Sequence, residues 1–292
     1  MEKKTILIII AICFILAFGK GIIFGVDKGN STDIQEVVTG LSGPTLKIHF
    51  IDVGQANAAV VIYPNGNALL IDGGSKESAD KLIDYLLNID VTRFHVIATN
   101  NDPRNIGGLK KVLEKFNVID YTENGIGCTS EICQDLSYFI IENNIPRQVT
   151  KDNTSLIYGG ANIKTTILNP PVDKYSLSEK ENSIVLRIEF KNSSFLFMGD
   201  CGFLCEEFLI GKNIDSDVLK VANHGASTSS SEVFLNKVKP MYSVISVGKN
   251  SYGYPNNETI YKFGRRGAEI HRTDQEGNII FMTNGTEYKV LI

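Results

Sequence analysis

The chain has 292 residues but no tryptophan and only four histidines. The scarcity of histidine is the most restrictive feature. A catalytic zinc ion takes about three protein ligands plus an open position, so a pair of ions needs five or six good donors. Two of the four histidines, His49 and His95, sit inside apolar strand-like runs and read as core positions, and His271 in "EIHRTD" reads as structural. Only His224 is placed for chemistry. Positive charge is not in excess either: 29 Lys and Arg stand against 33 Asp and Glu, a net charge of −4. That excludes a basic field over the whole surface of the kind that holds nucleic acid. Lys110, Lys111, Lys237, Lys239, Lys249, Arg265 and Arg266 are scattered and read as solvated surface.

Long apolar runs are also lacking, with one exception. Lys3 and Lys4 precede "TILIIIAICFILAFG" (residues 5–19), followed by Lys20 and "GIIFGV". A basic start before an apolar stretch of this length directs the rest of the chain across a membrane. With residues 22–26 added, the stretch approaches a bilayer span. Lys20 directly after a possible cleavage position favours an uncleaved anchor over a cut signal. We therefore expect one apolar helix over residues 1–26, a polar linker over 27–44 and a globular body over 45–292. The membrane contact is expected through residues 5–26, with the body outside the cytoplasm, either anchored or secreted.

Cysteine is sparse too. Beyond Cys13 there are four: Cys128, Cys133, Cys201 and Cys205. An even number in an exported body permits two disulfides, and free buried thiols fit the spacing equally well.

The body, 43% apolar over the whole chain, has mass for one large core. Short β-rich runs ("LKIHFIDV", "AAVVIYP", "NALLIDGG") lead into the helical spacing of "SADKLIDYLLNI" and then alternating strands and helices. The second half repeats this order and closes on a hairpin around Asn284-Gly285. Two such halves predict an α/β (α+β) sandwich of four layers, αββα, with loops gathered at one edge.

Chemistry-bearing residues concentrate at strand ends. Asp52 ("FIDVGQ"), Asp72 ("LLIDGG"), Asp102 ("ATNNDPRNIGG") and Asp200 ("FMGDCG") each follow an apolar strand, and His224 lies in "NHGASTSSS" after another. An aspartate there is commonly a cap or turn residue. Several carboxylates and a histidine converging are what a divalent cation takes.

"IDVGQANAAVV", "LLIDGG", "TNNDPRNIGG", "NSIVLRIEF…FLFMGD", "DVLKVANHGASTSSSEVFL", "VKPMYSVISVGKNSYGYP" and "GAEIHRTDQEGNI" occur in this order over residues 46–292. In that order and spacing they resemble the metallo-β-lactamase-fold domain at the C-terminal end of ComEC-type DNA-internalisation competence proteins. The resemblance implies a metal-dependent hydrolase of phosphodiesters in which a THxDxDHIGG loop, a G-D aspartate and an HHGS loop bind two ions, zinc or manganese. Nucleic acid as a partner is implied by the resemblance alone, and no protein partner is indicated.

The chain departs from that pattern at the ligands themselves. Asn100 and Asn105 stand where the loop has histidines, and Arg104 where it has its second aspartate. Asn223 precedes His224 where the family has a His pair, Ala56-Asn57 replaces a G-D, and Tyr254 replaces the His of a YGHP motif. Asp102, Asp200 and His224 remain as residual catalytic or metal positions, with Asp52 and Asp72 as structural neighbours. The binding candidates are Asn100, Arg104, Asn105, Asn223 and Tyr254.

Three good donors cannot hold two ions, and a guanidinium does not lose its proton. Two like unit charges at about 4 Å repel by roughly 4 kcal/mol at an effective dielectric near 20. The reading is therefore a domain without a cofactor, serving in binding or as a scaffold, in which Arg104 neutralises Asp102 and Asp200. Two enzymatic alternatives stand beside it: one divalent metal on Asp102, Asp200 and His224, or a Cys201 thiolate with His224 as base.

Overall fold

The computed structural model describes residues 40–172 and 178–292. The expected anchor and most of the expected linker lie outside these residues. Among the described residues no helix is long and apolar enough to cross a membrane. Residues Leu41–Ile292 form one compact unit.

Its first half comprises β1 (Leu46–Phe50), β2 (Ala59–Ile62), β3 (Ala68–Ile71), helix α1 (Ala79–Asn88), β4 (Arg93–Ile97), α2 (Pro103–Ile106), α3 (Leu109–Lys115), β5 (Asn117–Glu123), α4 (Glu131–Glu142) and β6 (Arg147–Val149). The second half comprises β7 (Ser155–Leu156), β8 (Ile163–Asn169), β9 (Val185–Phe190), β10 (Ser193–Phe197), α5 (Phe203–Leu209), β11 (Val218–Lys220), α6 (Glu232–Val238), β12 (Tyr242–Ile245), α7 (Asn257–Gly264), β13 (Glu269–Arg272) and α8 (Thr273–Glu276). The closing hairpin, β14 (Ile279–Thr283) and β15 (Tyr288–Leu291), returns to the first sheet, where β14 pairs antiparallel with β1.

The sheets run β15-β14-β1-β2-β3-β4-β5-β6 and β13-β12-β11-β10-β9-β8-β7. In each half an antiparallel meander passes into parallel strands joined through helices. Strands buried on both faces read as continuous apolar runs, as "ALLI" of β3 does. Three apolar layers follow. Ile48, Phe50, Phe197 and Phe281 pack between the sheets. Leu82, Leu86, Leu109 and Leu136 pack under the helices of the first sheet. Leu209, Phe234, Leu235 and Phe263 do so for the second. This is the αββα arrangement.

Strand direction places the loops. β1 is antiparallel to β2 and β2 to β3, so β1, β3 and β4 point the same way, and β10, β11 and β12 likewise share one direction. The segments after these strands carry Asp52, Asp72, Asn100–Asn105, Asp200, His224 and Gly248. They meet closely: a Cβ on Gly248 would lie 2.4 Å from the carbonyl carbon of Gly54, so this contact between two loops admits only glycine.

The cysteines pair as Cys128–Cys133 and Cys201–Cys205. Cys201 precedes α5 and Cys205 lies within it, because Gly202 is extended and only then does the helix begin. A free Cys201 thiolate is therefore not what this fold presents.

Candidate functional site

The local sequence explains the first part of the site. Asp102 is the N-cap of α2, accepting from the Arg104 backbone N–H at 2.9 Å, with Pro103 at the first helical position where a missing N–H costs nothing. The same carboxylate accepts from Arg104 Nε at 2.9 Å and from its terminal nitrogen at 2.6 Å. Burial pushes the Asp102 carboxyl up, but the Arg104 hydrogen bonds and charge outweigh it and hold it below its ordinary value. Arg104 is thus committed to its own turn. The exposed Tyr252 ring lies 5.9 Å from its guanidinium carbon.

Asp200 is fully buried behind Gly199, whose φ of +54° suits glycine. Three asparagines reach it. Asn105 donates to Oδ2 at 3.0 Å, Asn100 to Oδ2 at 3.1 Å and Asn57 to Oδ1 at 3.4 Å. Their orientation is dictated chemically. The Asp102 backbone N–H, which can only donate, meets Asn100 Oδ1 at 2.9 Å, so the Asn100 amide nitrogen faces Asp200 and Ser183 Oγ. Asn105 also donates to Asn100 Oδ1, leaving its own oxygen to accept from Asn57 at 2.8 Å. At the other end Lys220 Nζ, again donor-only, meets Asn57 Oδ1 at 2.9 Å. Donor-only groups at both ends therefore turn all three amide nitrogens toward one carboxylate. Asp200 is solvated by amides, as an ionised carboxylate in a protein interior must be.

The buried cation of the site is Lys220, which also donates to the Val221 carbonyl at 3.2 Å. Burial pushes its ammonium down to about 8 against the pull of Asp200 and Asp72. Asp72 accepts from Thr99 N–H at 2.8 Å and from its hydroxyl at 2.9 Å. Burial raises Asp72 to about 8, with the Asp200 charge adding to the rise and Thr99 and Lys220 opposing it. The expectation that Arg104 neutralises both Asp102 and Asp200 is narrowed: the charges of both carboxylates act on its guanidinium, but it hydrogen-bonds only one of them. Its hydrogen bonds go to Asp102, while Asp200 is held by asparagines and by the Lys220 charge at the end of their chain.

His224 is fully buried, its Nδ1 2.8 Å from the Ser246 carbonyl and its Nε2 without a hydrogen-bond partner. A carbonyl only accepts, so Nδ1 carries the proton and Nε2 a free lone pair. Burial lowers its pKa, the Asp200 charge working against this. Asn223 and His224 both adopt left-handed backbone, φ 48° and 54°. Asn223 does not join the centre: it accepts from Lys180 at 3.1 Å and donates to Thr228 at 3.3 Å. Tyr254 is tied through its backbone to Asn250 and stacks on Tyr252. Asp52 pairs with Lys81. His49, His95 and His271 bond to Tyr85, Asp120 and Glu276 respectively.

The structure thus gathers Asn100, Asn105 and Asp200, sets Asp102 and Arg104 beside them, and leaves Asn223 and Tyr254 in neighbouring loops. Sequence reasoning missed Lys220 and the part played by Asn57. A lysine inside the apolar run "DVLKVAN" was the available signal.

A pair of metal ions does not fit this donor set. The Asp200 oxygens receive amide N–H groups, Asp102 is occupied by a guanidinium, and the amide oxygens of Asn57, Asn100 and Asn105 are turned away into other hydrogen bonds. Among the described residues, no three His, Cys, Asp or Glu side chains are grouped so as to hold an ion.

No family model matches the chain. Over 115 residues, 38% of the chain, it is 36% identical to Competence protein ComA of Neisseria gonorrhoeae, of which this covers 17%. It is 34% identical over 105 residues to ComE operon protein 3 of Bacillus subtilis, covering 35% of the chain and 14% of that protein. Recombination protein 2 of Haemophilus influenzae is 24% identical over 248 residues, 82% of this chain and 29% of that one. The chain therefore spans less than a third of the length of the curated relatives it matches. Among solved structures, a metallo hydrolase of Ignicoccus hospitalis superposes with a TM-score of 0.54 at 16% identity, covering 81% of this chain and 98% of that one. A metal-dependent hydrolase of the β-lactamase superfamily gives 0.50 at 12%, covering 80% and 98%. At these identities the structural likeness is one of fold. Residues 41–292 are accordingly a metallo-β-lactamase-fold domain that resembles part of the ComEC-type competence proteins.

Proposed function

We propose that this domain is a non-catalytic binding or scaffold module, its centre a hydrogen-bonded network in place of a dinuclear metal site. The observation that carries this reading is the solvation of Asp200 by Asn57, Asn100 and Asn105, which commits the central carboxylate to the protein itself. Removing a charged ligand set and keeping the fold leaves the loops rigid and their outer surface free to recognise something else. The two disulfides fit a body exported to an oxidising compartment, and together with the apolar segment of residues 5–26 support anchoring outside the cytoplasm. Metal analysis of the full chain after dialysis against chelator tests it, followed by a phosphodiesterase assay with added manganese. Absence of both retained metal and turnover is expected. Stoichiometric metal with turnover lost in His224→Ala would overturn the proposal.

One observation favours a second reading, a hydrolase with a single metal. His224 keeps the arrangement of a metal-bound imidazole, Nδ1–H on a carbonyl and Nε2 free. The same experiment separates the two.

A further inference from the structure

The first sheet ends on β6, and all three of its residues are exposed. β5 takes only part of the β6 backbone. The Tyr121 N–H donates to the Pro146 carbonyl and the Thr150 N–H to the Glu123 carbonyl. In this parallel register Gln148 supplies the bonds between them, so Arg147 and Val149 turn their N–H and C=O groups outward, away from β5. Beside this edge an open groove of about 340 Å³ lies between β6 and α4, lined in part by Ser137, Tyr138, Ile141, Arg147 and Val149. Tyr138, Ile141 and Val149 are 66%, 61% and 54% exposed. Arg147 reaches Ser137 of α4 at 3.1 Å and pairs with Glu123, while Gln148 reaches Thr122 at 2.7 Å. Side chains alternate along a strand, so Arg147 and Val149 face the groove and Gln148 the opposite side.

We propose that this groove docks an extended peptide strand of a partner protein, apolar at alternate positions and flanked by basic residues. Backbone and charge select that occupant. Arg147 and Val149 stand two positions apart, and each offers a donor and an acceptor. An antiparallel strand laid along β6 exchanges two hydrogen bonds with each of them. The side chains opposite those two residues then fall on the groove face. There Glu123 already neutralises Arg147, and the exposed Tyr138, Ile141 and Val149 call for apolar side chains. The flanks are set by α4, whose only charged residues are Glu131, Asp135 and Glu142, all exposed. An acidic helix beside the groove favours lysine or arginine on the incoming strand. It disfavours a second copy of this chain, whose own α4 would bring three more carboxylates to the same place. The proposal does not depend on the state of the asparagine centre, with which this edge shares no residue.

The test uses the full chain and a capped, fluorescein-labelled peptide that alternates valine and threonine between paired lysines. Fluorescence anisotropy reads its affinity, and hydrogen exchange of backbone amides reads its place. Saturable binding that slows exchange at Arg147 and Val149 is expected. Affinity should fall about tenfold in Val149→Pro, the worth of one or two backbone hydrogen bonds, and at least as much when glutamates replace the peptide lysines. The Val149 N–H takes no part in pairing with β5, and an edge strand tolerates proline where the N–H faces outward, so this variant keeps the fold. Tyr138→Ser, at an exposed ring, is the second variant and should also weaken binding. Absence of binding, no slowing at Arg147 and Val149, unchanged affinity in both variants, or equal affinity for the glutamate peptide would each overturn the proposal. So would a dimer of the full chain that Val149→Pro dissociates, which would assign the edge to a second copy.

Discussion

Lys220 Nζ lies 2.9 Å from Asn57 Oδ1, and the nitrogen of that same amide faces Asp200. One residue thereby passes the polarity of a buried cation on to a buried anion that the cation does not touch. Because each amide in the chain donates at one end and accepts at the other, its orientation is set from its ends. The consequences can be measured.

Lys220→Met should remove the donor that pins Asn57 and leave Asp200 without the buried cation at the end of its amide chain. Breaking a buried charge arrangement from one side costs about 3 kcal/mol or more. Chemical denaturation of the variant against the parent chain reads this directly. A change below about 1 kcal/mol would show that the network does not depend on the lysine.

The pH dependence of stability should carry the signature of Asp72. Its folded pKa is raised to about 8 from the model-peptide value of 3.8, so its contribution to stability is complete below about 3.8 and is lost as pH rises to about 8. Lys220, lowered to about 8 from 10.5, acts in the opposite sense, and stability recovers between those values as the unfolded chain alone holds the proton. The two together place a minimum near pH 8. Asp72→Asn keeps both Thr99 contacts open and should flatten the fall between pH 5 and 8. Unfolding free energies of both proteins across that range are the check.

Arg104→Gln should cost about 1 kcal/mol, because the ion pair with Asp102 is partly screened, with side chains 25% and 19% exposed. The shift in denaturation midpoint measures it. The cap hydrogen bond from the residue 104 backbone survives the substitution, so α2 should persist by circular dichroism.

Restoring family ligands tests the reading of the centre. In the triple substitution Asn100→His, Arg104→Asp and Asn105→His the amide donors and the guanidinium give way to imidazole and carboxylate. The variant should retain zinc or manganese through dialysis where the parent chain does not. Elemental analysis distinguishes the outcomes, and a variant that folds yet stays metal-free argues that the loops themselves forbid the site.

Replacing Cys201 and Cys205 by serine opens a bridge spanning four positions next to Asp200. Loop-closure entropy for so short a loop predicts a loss of about 2 kcal/mol, measured as a difference in unfolding free energy under oxidising conditions.

Much of this protein was legible in its residues. The runs "ALLI" and "SSFLF" declare buried strands because both faces are apolar, and Asp102-Pro103 declares a helix start because proline needs no donor there. That Asn100, Arg104 and Asn105 offer no anionic or imidazole donor is a property of the residues themselves, and the family resemblance marks their positions as ligand positions. Three things waited for the tertiary structure. Cysteine spacing allows several pairings, and proximity selects Cys128 with Cys133 and Cys201 with Cys205. Arg104 was expected to serve two aspartates; its hydrogen bonds go to Asp102 in its own turn, and only its charge reaches Asp200. And an asparagine is symmetrical to anyone reading letters: which end of its amide meets Asp200 depends on Lys220, 163 positions from Asn57 and brought to it only by the packing of two sheets.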